Sequence, residues 1–388
     1  MRKTSKYRIL PTHGQQRLLN QMLEECRFVY NQTLATRRDA WEQRQETLGL
    51  YATQALLPHW KAERPSLKLV HSQVLQNVQV RVDLAFKAFF RRVKAGETPG
   101  YPRFKGFGRY DSITYPQYGI GFTVADNQLA VSKIGRLPVL WHRPIAGQIK
   151  TLTIRRTSTG KWFACFSVDM EPQPLPPSDT AVGIDVGLES FATMSNSEKI
   201  ANPRFFRQDE KELTKAQRKL SKAEKGTPER AKRRKVVARM HERIANRRSN
   251  FAHQLSRKLV NRFGIIAFED LNTNGMLKNH CLAKSIADAA WNQLVVYTTS
   301  KAEEAGRHVV LVDPRHTSQR CSRCGQMVKK ELRVRVHACP VCGLVLDRDE
   351  NAAINVLALG LQCLGATPWK PPPLGVRSSH WHTMCKNV

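Results

Sequence analysis

The 388-residue chain changes hydrophobic rhythm near its middle. In the first half, alternation over Lys6 to Leu10 predicts a short strand. Apolar positions then return at helical spacing, at Leu18, Leu19, Met22, Leu23, Phe28, Val29 and Leu34. A second helical segment carries Leu75, Val78, Val82, Leu84, Ala85, Phe86, Phe89 and Phe90, and Gly96 to Pro102 ends it. The stretch "KTLTIRRTSTGKWFACFSVDM" predicts a hairpin turning at Ser158 to Gly160. The Pro-rich "EPQPLPPSD", Glu171 to Asp179, reads as an extended linker. Beyond it, "AVGIDVGLESFAT" predicts two strands joined by a tight turn at Gly187, with Asp185 set inside the first. Lys211 to Val260 is helical, broken at Gly226-Thr227-Pro228, where Thr227 suits an N-cap and Pro228 a first helical position. Ile265 to Phe268 forms a buried-strand run that ends in Glu269 and Asp270, and "HVVLVDP" adds a further strand. Leu346 to Gly360 predicts a helix with acids at its start. From about Thr367 the chain is Pro-rich and irregular, as mobile tails are. No internal repeat is present.

Charge alters this picture. Lys and Arg number 63 against 32 Asp and Glu, a net of +31. On a chain with 41% hydrophobic residues, that surplus points to a folded protein with a polyanionic partner. Between Arg207 and Arg248 alone, 16 basic residues meet six acidic ones, so the predicted helical hairpin suits phosphate contacts. A solvated helix face is the alternative. Upstream, "YPRFKGFGRYDSITYPQ" interleaves Arg103, Lys105 and Arg109 with Phe104, Phe107, Tyr110 and Tyr115. Basic groups for phosphates and rings for base stacking suit a nucleic-acid surface, and rings buried in a β-rich core are an equal alternative. No apolar run approaches the roughly 20 residues needed to cross a bilayer. The N-terminal residues lack the apolar core of a signal peptide. A cytoplasmic, nucleoid-associated protein without a membrane partner is therefore expected.

Two sets of residues carry candidate chemistry. Cys321-x2-Cys324, fourteen residues, then Cys339-x2-Cys342 places four thiols on two knuckles, the pattern of one tetrahedral Zn2+. Gly325 and Gly343 follow the pairs and permit the knuckle turns. Four Cys ligands close the site, so this zinc is expected to be structural. His316 and His337 are not needed as ligands. Cys26, Cys165, Cys281, Cys363 and Cys385 stand alone, and an odd cysteine count argues against a disulfide framework. The second set is Asp185 in a strand, Glu269 at a strand end and Asp349 at a helix start. Each has a structural alternative: a strand terminus, a salt bridge, a helix-dipole acid. Convergent, they offer hard oxygen ligands for Mg2+, and a pair of such ions activates water and stabilises the leaving oxygen of a phosphodiester. Strand-Asp, strand-end Glu, helix-start Asp is the order of an RNase H-like nuclease core.

The motifs "GIDVGLESFAT", "FEDLNTNGMLKN", "HTSQRCSRCGQ" and "CPVCGLVLDRDENAAINV" resemble the TnpB (OrfB) family of insertion-sequence proteins. In the first half, "YRILPTHGQQRLLNQMLEECRFVYNQTL", "VDLAFKAFFRR" and "PGYPRFKGFGRYDSITYPQ" extend the resemblance, which runs from about Lys6 to Gly360. It implies an α+β multidomain protein: a β-barrel wedge domain (1–12 and 101–170) interrupted by a helical recognition lobe (13–100). A linker (171–180) would lead to a RuvC-like α/β nuclease domain (181–318 and 345–360) with an inserted four-cysteine zinc ribbon (319–344). From its composition a disordered tail (361–388) is expected to follow, and it carries no family signature. Asp185, Glu269 and Asp349 match the family's catalytic acids, with Asp349 rather than Asp347 aligned to the third. Resemblance further implies an RNA-guided DNA endonuclease that takes its guide RNA from a transposon end and cuts double-stranded DNA beside a short adjacent motif. Three alternatives share this scaffold: a non-cutting RNA-guided repressor, a compact type V CRISPR effector and an unguided transposase. A degenerate repressor copy should lack an acid, and all three are present.

Overall fold

A computed structural model describes residues 1–331 and 334–365, an α+β chain that divides into two compact units, 1–171 and 172 onward. The expected tail falls outside the described residues except for Leu361 to Gly365, of which Leu361 to Cys363 continue the last helix.

The first unit opens on strand β1 (Arg2–Ile9), longer than the Lys6–Leu10 alternation predicts. Helix α1 (His13–Arg44) follows, capped by Thr12, whose hydroxyl accepts from the Gln15 N–H at 3.3 Å while the Gln15 side chain returns to the Thr12 N–H at 3.0 Å. Short helices α2 (Leu50–Gln54) and α3 (Leu57–Glu63) and a 3-10 turn (Pro65–Leu69) lead to α4 (Ser72–Lys94). Strands β2 (Ser112–Tyr115), β3 (Phe122–Ala125), β4 (Gln128–Val131), β5 (Gly135–Leu137) and β6 (Val139–Leu140) come next. The anticipated hairpin is β7 (Gln148–Arg156) and β8 (Trp162–Asp169), with Gly160 at φ 83° in its turn. These strands form an antiparallel sheet in the order β2-β7-β8-β1-β6 and a small sheet β3-β4-β5. The apolar stripes of α1 and α4 close over the large sheet, burying Leu19, Met22, Leu23, Val74, Leu75 and Val78 against Tyr7, Ile9, Ile154 and Phe166.

In the second unit the Pro-rich segment is extended, and Gln173 and Leu175 donate to the carbonyls of Glu304 and Ala305. Strands β9 (Ala181–Val186), β10 (Ser190–Met194) and β11 (Lys199–Ala201) form an antiparallel meander. Helices α5 (Phe205–Lys222) and α6 (Pro228–Arg262) follow, and Thr227 caps α6 by accepting from the Arg230 N–H at 3.3 Å. Next come β12 (Ile265–Glu269), α7 (Thr273–Met276), α8 (Ala283–Ala289), α9 (Trp291–Ala305) and β13 (His308–Val312). A ribbon of β14 (Val336–Ala338) and β15 (Val345–Asp347) precedes α10 (Arg348–Cys363). The main sheet runs β11-β10-β9-β12-β13, with β12 parallel to both β9 and β13.

Alternation along β9 and β12 sends their side chains to two faces. Val182, Ile184, Ile266 and Phe268 meet Leu255, Leu259 and Leu294 of α6 and α9. Gly183 and Ala267 face α10, which lies so close that a Cβ on Gly183 would sit 2.1 Å from the Ala353 carbonyl oxygen. Gly187, expected to be the turn glycine, adopts no positive φ; a Cβ there would meet the Ser190 carbonyl at 3.0 Å, so crowding selects it.

Candidate functional site

The register of β9 against β12 pairs Ala267 with Gly183 and Phe268 with Ile184, so one step further Glu269 lies beside Asp185. Both acids share the α10-facing side with Gly183 and Ala267. Their carboxyl groups hydrogen-bond to each other. Burial first, then the charges of Glu269 and Asp349, pushes the Asp185 carboxyl well above its ordinary range. Burial also raises Glu269, against hydrogen bonds from Thr317 and Asp185 that favour its ionised form. Two such groups side by side resist ionising together, a penalty that a cation bound between them would relieve.

Asp349 comes from the first turn of α10, brought near by the close seating of that helix on Gly183. Arg348 grips its Oδ1 at 3.0 and 3.1 Å, and Arg335 stands 3.6 Å from Oδ2 while reaching Glu189 at 3.0 Å. The fold thus joins Asp185 to Glu269 directly and sets Asp349 within electrostatic range, held by two arginines. Neighbouring Asp347 has a different task. It caps α10, accepting from the N–H groups of Asp349 (2.9 Å) and Glu350 (3.3 Å), and pairs with Lys199 at 2.7 Å. Burial raises its pKa, but Lys199 and the helix N–H groups outweigh that and hold it low.

The four cysteines are the one His, Cys, Asp or Glu cluster among the described residues whose ligand atoms all lie within 4.8 Å of one another. Cys321 and Cys342 sulfurs are 3.6 Å apart, as are those of Cys324 and Cys339. Zn–S bonds of about 2.3 Å at tetrahedral angles impose ~3.8 Å between sulfurs, so the thiols fit zinc. Each knuckle closes alike: Gly325 N–H reaches the Cys321 carbonyl at 2.9 Å and Gly343 N–H the Cys339 carbonyl at 3.0 Å. Both glycines adopt positive φ, 77° and 67°, where other residues would be strained. The N–H groups of Cys342 and Val341 draw the Cys339 thiol down to about 6 against its burial, favouring the thiolate a metal needs.

Several residues at the site escape sequence reasoning. Thr317, buried, places its hydroxyl 2.7 Å from Glu269 Oε1. Asn355 donates to the carbonyls of Thr317 (2.8 Å) and Arg320 (2.7 Å). Asn351 donates to Arg320 (2.8 Å) and accepts from the Ser322 N–H (2.9 Å). Their spacing of four along α10 was the available signal, a polar stripe on an otherwise apolar helix. Asp288, also unmarked, accepts from the Phe206 N–H at the start of α5 and from Arg248 of α6 at 2.8 Å.

The basic hairpin is partly self-neutralised: Arg243 and Arg247 pair with Asp209, and Arg207 pairs with Glu210. On α5, Lys211, Lys215, Arg218, Lys219 and Lys222 line, together with that Arg207–Glu210 pair, an open groove of about 670 Å3. In the first unit the interleaved rings divide. Tyr110 and Tyr115 are core, while Phe104 and Phe107 are exposed, near Arg38 (5.3 Å) and Arg27 (5.9 Å). Among the described residues no helix is long and apolar enough to cross a membrane.

Comparison with known proteins places these features among relatives. The family described as "Probable transposase" matches residues 165–280, the "Cas12f1-like, TNB domain" residues 291–356 and a "Helix-turn-helix domain" residues 1–46. That last segment is here one strand and one long helix. A protein of Streptomyces pristinaespiralis named "Putative RNA-guided DNA endonuclease" is 37% identical over 369 residues, spanning 93% of this chain and 90% of its own length. Another from Escherichia coli K12, "Putative RNA-guided DNA endonuclease InsQ", is 29% identical and spans 92% and 91%. Among solved structures, a Cas12f1-sgRNA-target DNA complex aligns with a TM-score of 0.56 at 16% identity, covering 89% of this chain and 83% of that one, a likeness of fold.

Proposed function

The chain belongs to the TnpB (OrfB) family, and from that premise we propose that it is an RNA-guided, Mg2+-dependent endonuclease of a transposon that cuts double-stranded DNA beside a short adjacent motif. One observation carries the reading: Asp185 and Glu269 meet on neighbouring parallel strands beside the helix that brings Asp349. A sheet of order β11-β10-β9-β12-β13 under such a helix suits an RNase H-like, RuvC-type domain, with the two cysteine knuckles as its inserted structural zinc ribbon. The antiparallel sheet of the first unit suits the wedge domain and α1 to α4 the recognition lobe.

The donor set at the acids fits Mg2+, since buried carboxyls whose ionisation is disfavoured by burial become good hard-oxygen ligands once a cation compensates their charge. Bound by Asp185, Glu269 and Asp349, a pair of Mg2+ ions would supply a nucleophilic water and charge compensation at the leaving oxygen. The remaining work falls to the chain. Thr317 donates to the Glu269 carboxylate, Arg348 and Arg335 hold Asp349, and the Asp347 cap holds the helix that carries it. Lys211, Lys215, Arg218, Lys219 and Lys222 on α5 offer a row of positive charge to a phosphate backbone, leaving sequence choice to guide pairing. Retention of all three acids disfavours the non-cutting repressor.

The test is to co-express the chain with its flanking genomic DNA, sequence the RNA that copurifies, and incubate the complex with a matching duplex library and Mg2+. Guide-dependent cuts are expected from the wild type and none from Asp185→Asn, Glu269→Gln or Asp349→Asn, each with RNA still bound. Guide-dependent binding without cutting by the wild type would turn the reading to the repressor. Absence of any specific RNA would turn it to unguided DNA processing.

A further inference from the structure

The ribbon touches the acids at a defined point. Thr317 lies four residues before Cys321, is 5% exposed, and approaches Glu269 Oε1 at 2.7 Å and the Pro314 carbonyl at 3.1 Å. A hydroxyl has one proton, and an ionised Glu269 takes it as the shorter and charged acceptor. Thr317 is itself held from the far side. Asn355 binds its carbonyl and that of Arg320, and Asn351 binds Arg320 and the N–H of Ser322 inside the first knuckle. Asn351 and Asn355 are 0% and 6% exposed and stand on the helix whose first turn holds Asp349. A continuous set of buried and partly buried hydrogen bonds, joined through Thr317 itself, therefore runs from the Cys321 knuckle to Glu269.

We propose that Thr317 is a positioning residue for Glu269, and that through Thr317, Asn351 and Asn355 the zinc ribbon sets the orientation of the strand acids. The proposal rests on the nuclease reading of those acids. A glutamate at a strand end turns freely about its last torsion. A buried donor on one oxygen fixes that plane, and loss of an outer donor of this kind typically costs about 10- to 100-fold in metal affinity or activity. Were Glu269 not to accept it, the hydroxyl proton has the Pro314 carbonyl at 3.1 Å as an alternative acceptor, so the ribbon does not need the Glu269 contact to satisfy Thr317.

The experiment uses the full chain with its copurifying RNA and compares Thr317→Val, Thr317→Ser, Asn355→Ala and Glu269→Gln for zinc content, Mn2+ affinity and cleavage rate. Thr317→Val is expected to keep wild-type zinc, lose roughly 10- to 100-fold in Mn2+ affinity and in cleavage, and be largely restored as Thr317→Ser. Wild-type Mn2+ affinity in Thr317→Val with zinc retained, or Thr317→Ser no better than Thr317→Val, overturns it. Should Thr317→Val lose zinc, Asn355→Ala decides: it keeps the hydroxyl but frees its support, so weakened Mn2+ binding supports the proposal and unchanged binding refutes it. Glu269→Gln separates the two claims. If it binds Mn2+ and cuts like the wild type, the nuclease reading falls; if it is inactive while Thr317→Val is unaffected, only the positioning role falls.

Discussion

A single methyl group at Gly183 should both loosen the fold and disable the site. The added Cβ would lie 2.1 Å from the Ala353 carbonyl oxygen, 2.5 Å from the Leu357 nitrogen and 2.8 Å from the Leu357 Cβ. Ordinary contact begins at 3.4 Å, so α10 must retreat by about 1 Å, and two of the three obstacles are backbone that no rotamer change can clear. Overpacking of this kind costs about 1–3 kcal/mol. For a domain of this size each kcal/mol lowers Tm by about 2–4 °C, so Gly183→Ala should melt roughly 2–12 °C below the wild type. The functional loss should exceed that. Asp349 stands one helical turn before Ala353 and retreats with the helix, and a 1 Å misplacement costs about 100-fold in rate. Scanning calorimetry and single-turnover cleavage by the RNA-loaded protein measure the two effects. Gly14→Ala, whose Cβ would come no nearer than 4.0 Å to Thr12 Oγ1, is the control: in a helix it should melt no lower than the wild type and should cut as the wild type does. A Gly183→Ala protein with unchanged Tm and full rate would refute the seating of α10 on β9 as what positions Asp349.

Two other perturbations test the electrostatics. Burial and the neighbouring acids raise the Asp185 carboxyl in the folded state, so folding is favoured by its proton below pH 3.8 and that contribution is lost as pH rises through the higher folded value. Asp185→Asn should therefore melt above the wild type without added divalent cation, by a margin that widens with pH, and should lose the stabilisation that Mg2+ gives the wild type. A margin that stays flat or narrows on thermal melts from about pH 4 to 8 would contradict this. Asp288→Ala removes the carboxylate that caps α5 and leaves Arg248, 23% exposed, without its partner; denaturant unfolding should show a loss of about 3–5 kcal/mol, with early hydrogen exchange in the first turn of α5. Unchanged exchange there would mean that Arg204 to Gln208 are held by other contacts.

Local chemistry was the part that residues alone decided. The spacing of Cys321, Cys324, Cys339 and Cys342 with two knuckle glycines dictates four converging thiols, because the closure needs only neighbours a few bonds away. Thr227 and Pro228 fix the start of α6 for the same reason, and buried-strand runs placed Asp185 and Glu269 at strand positions. Tertiary structure decided what those residues meet. Glu269 stands beside Asp185 through a parallel register between strands separated by two long helices, and no local pattern encodes that pairing. Short strands such as β3 to β6 were equally silent, being two to four residues long and held by partners across the sheet. Thr317, Asn351, Asn355, Arg335 and Asp288 read as ordinary polar residues in sequence, since a hydrogen bond declares itself only when both ends are in place. Gly183 reads like any strand glycine, and Gly187 is the one that the turn pattern singles out. Only the approach of α10 shows that the missing side chain at Gly183 is the space through which the helix delivers Asp349 to the strand acids.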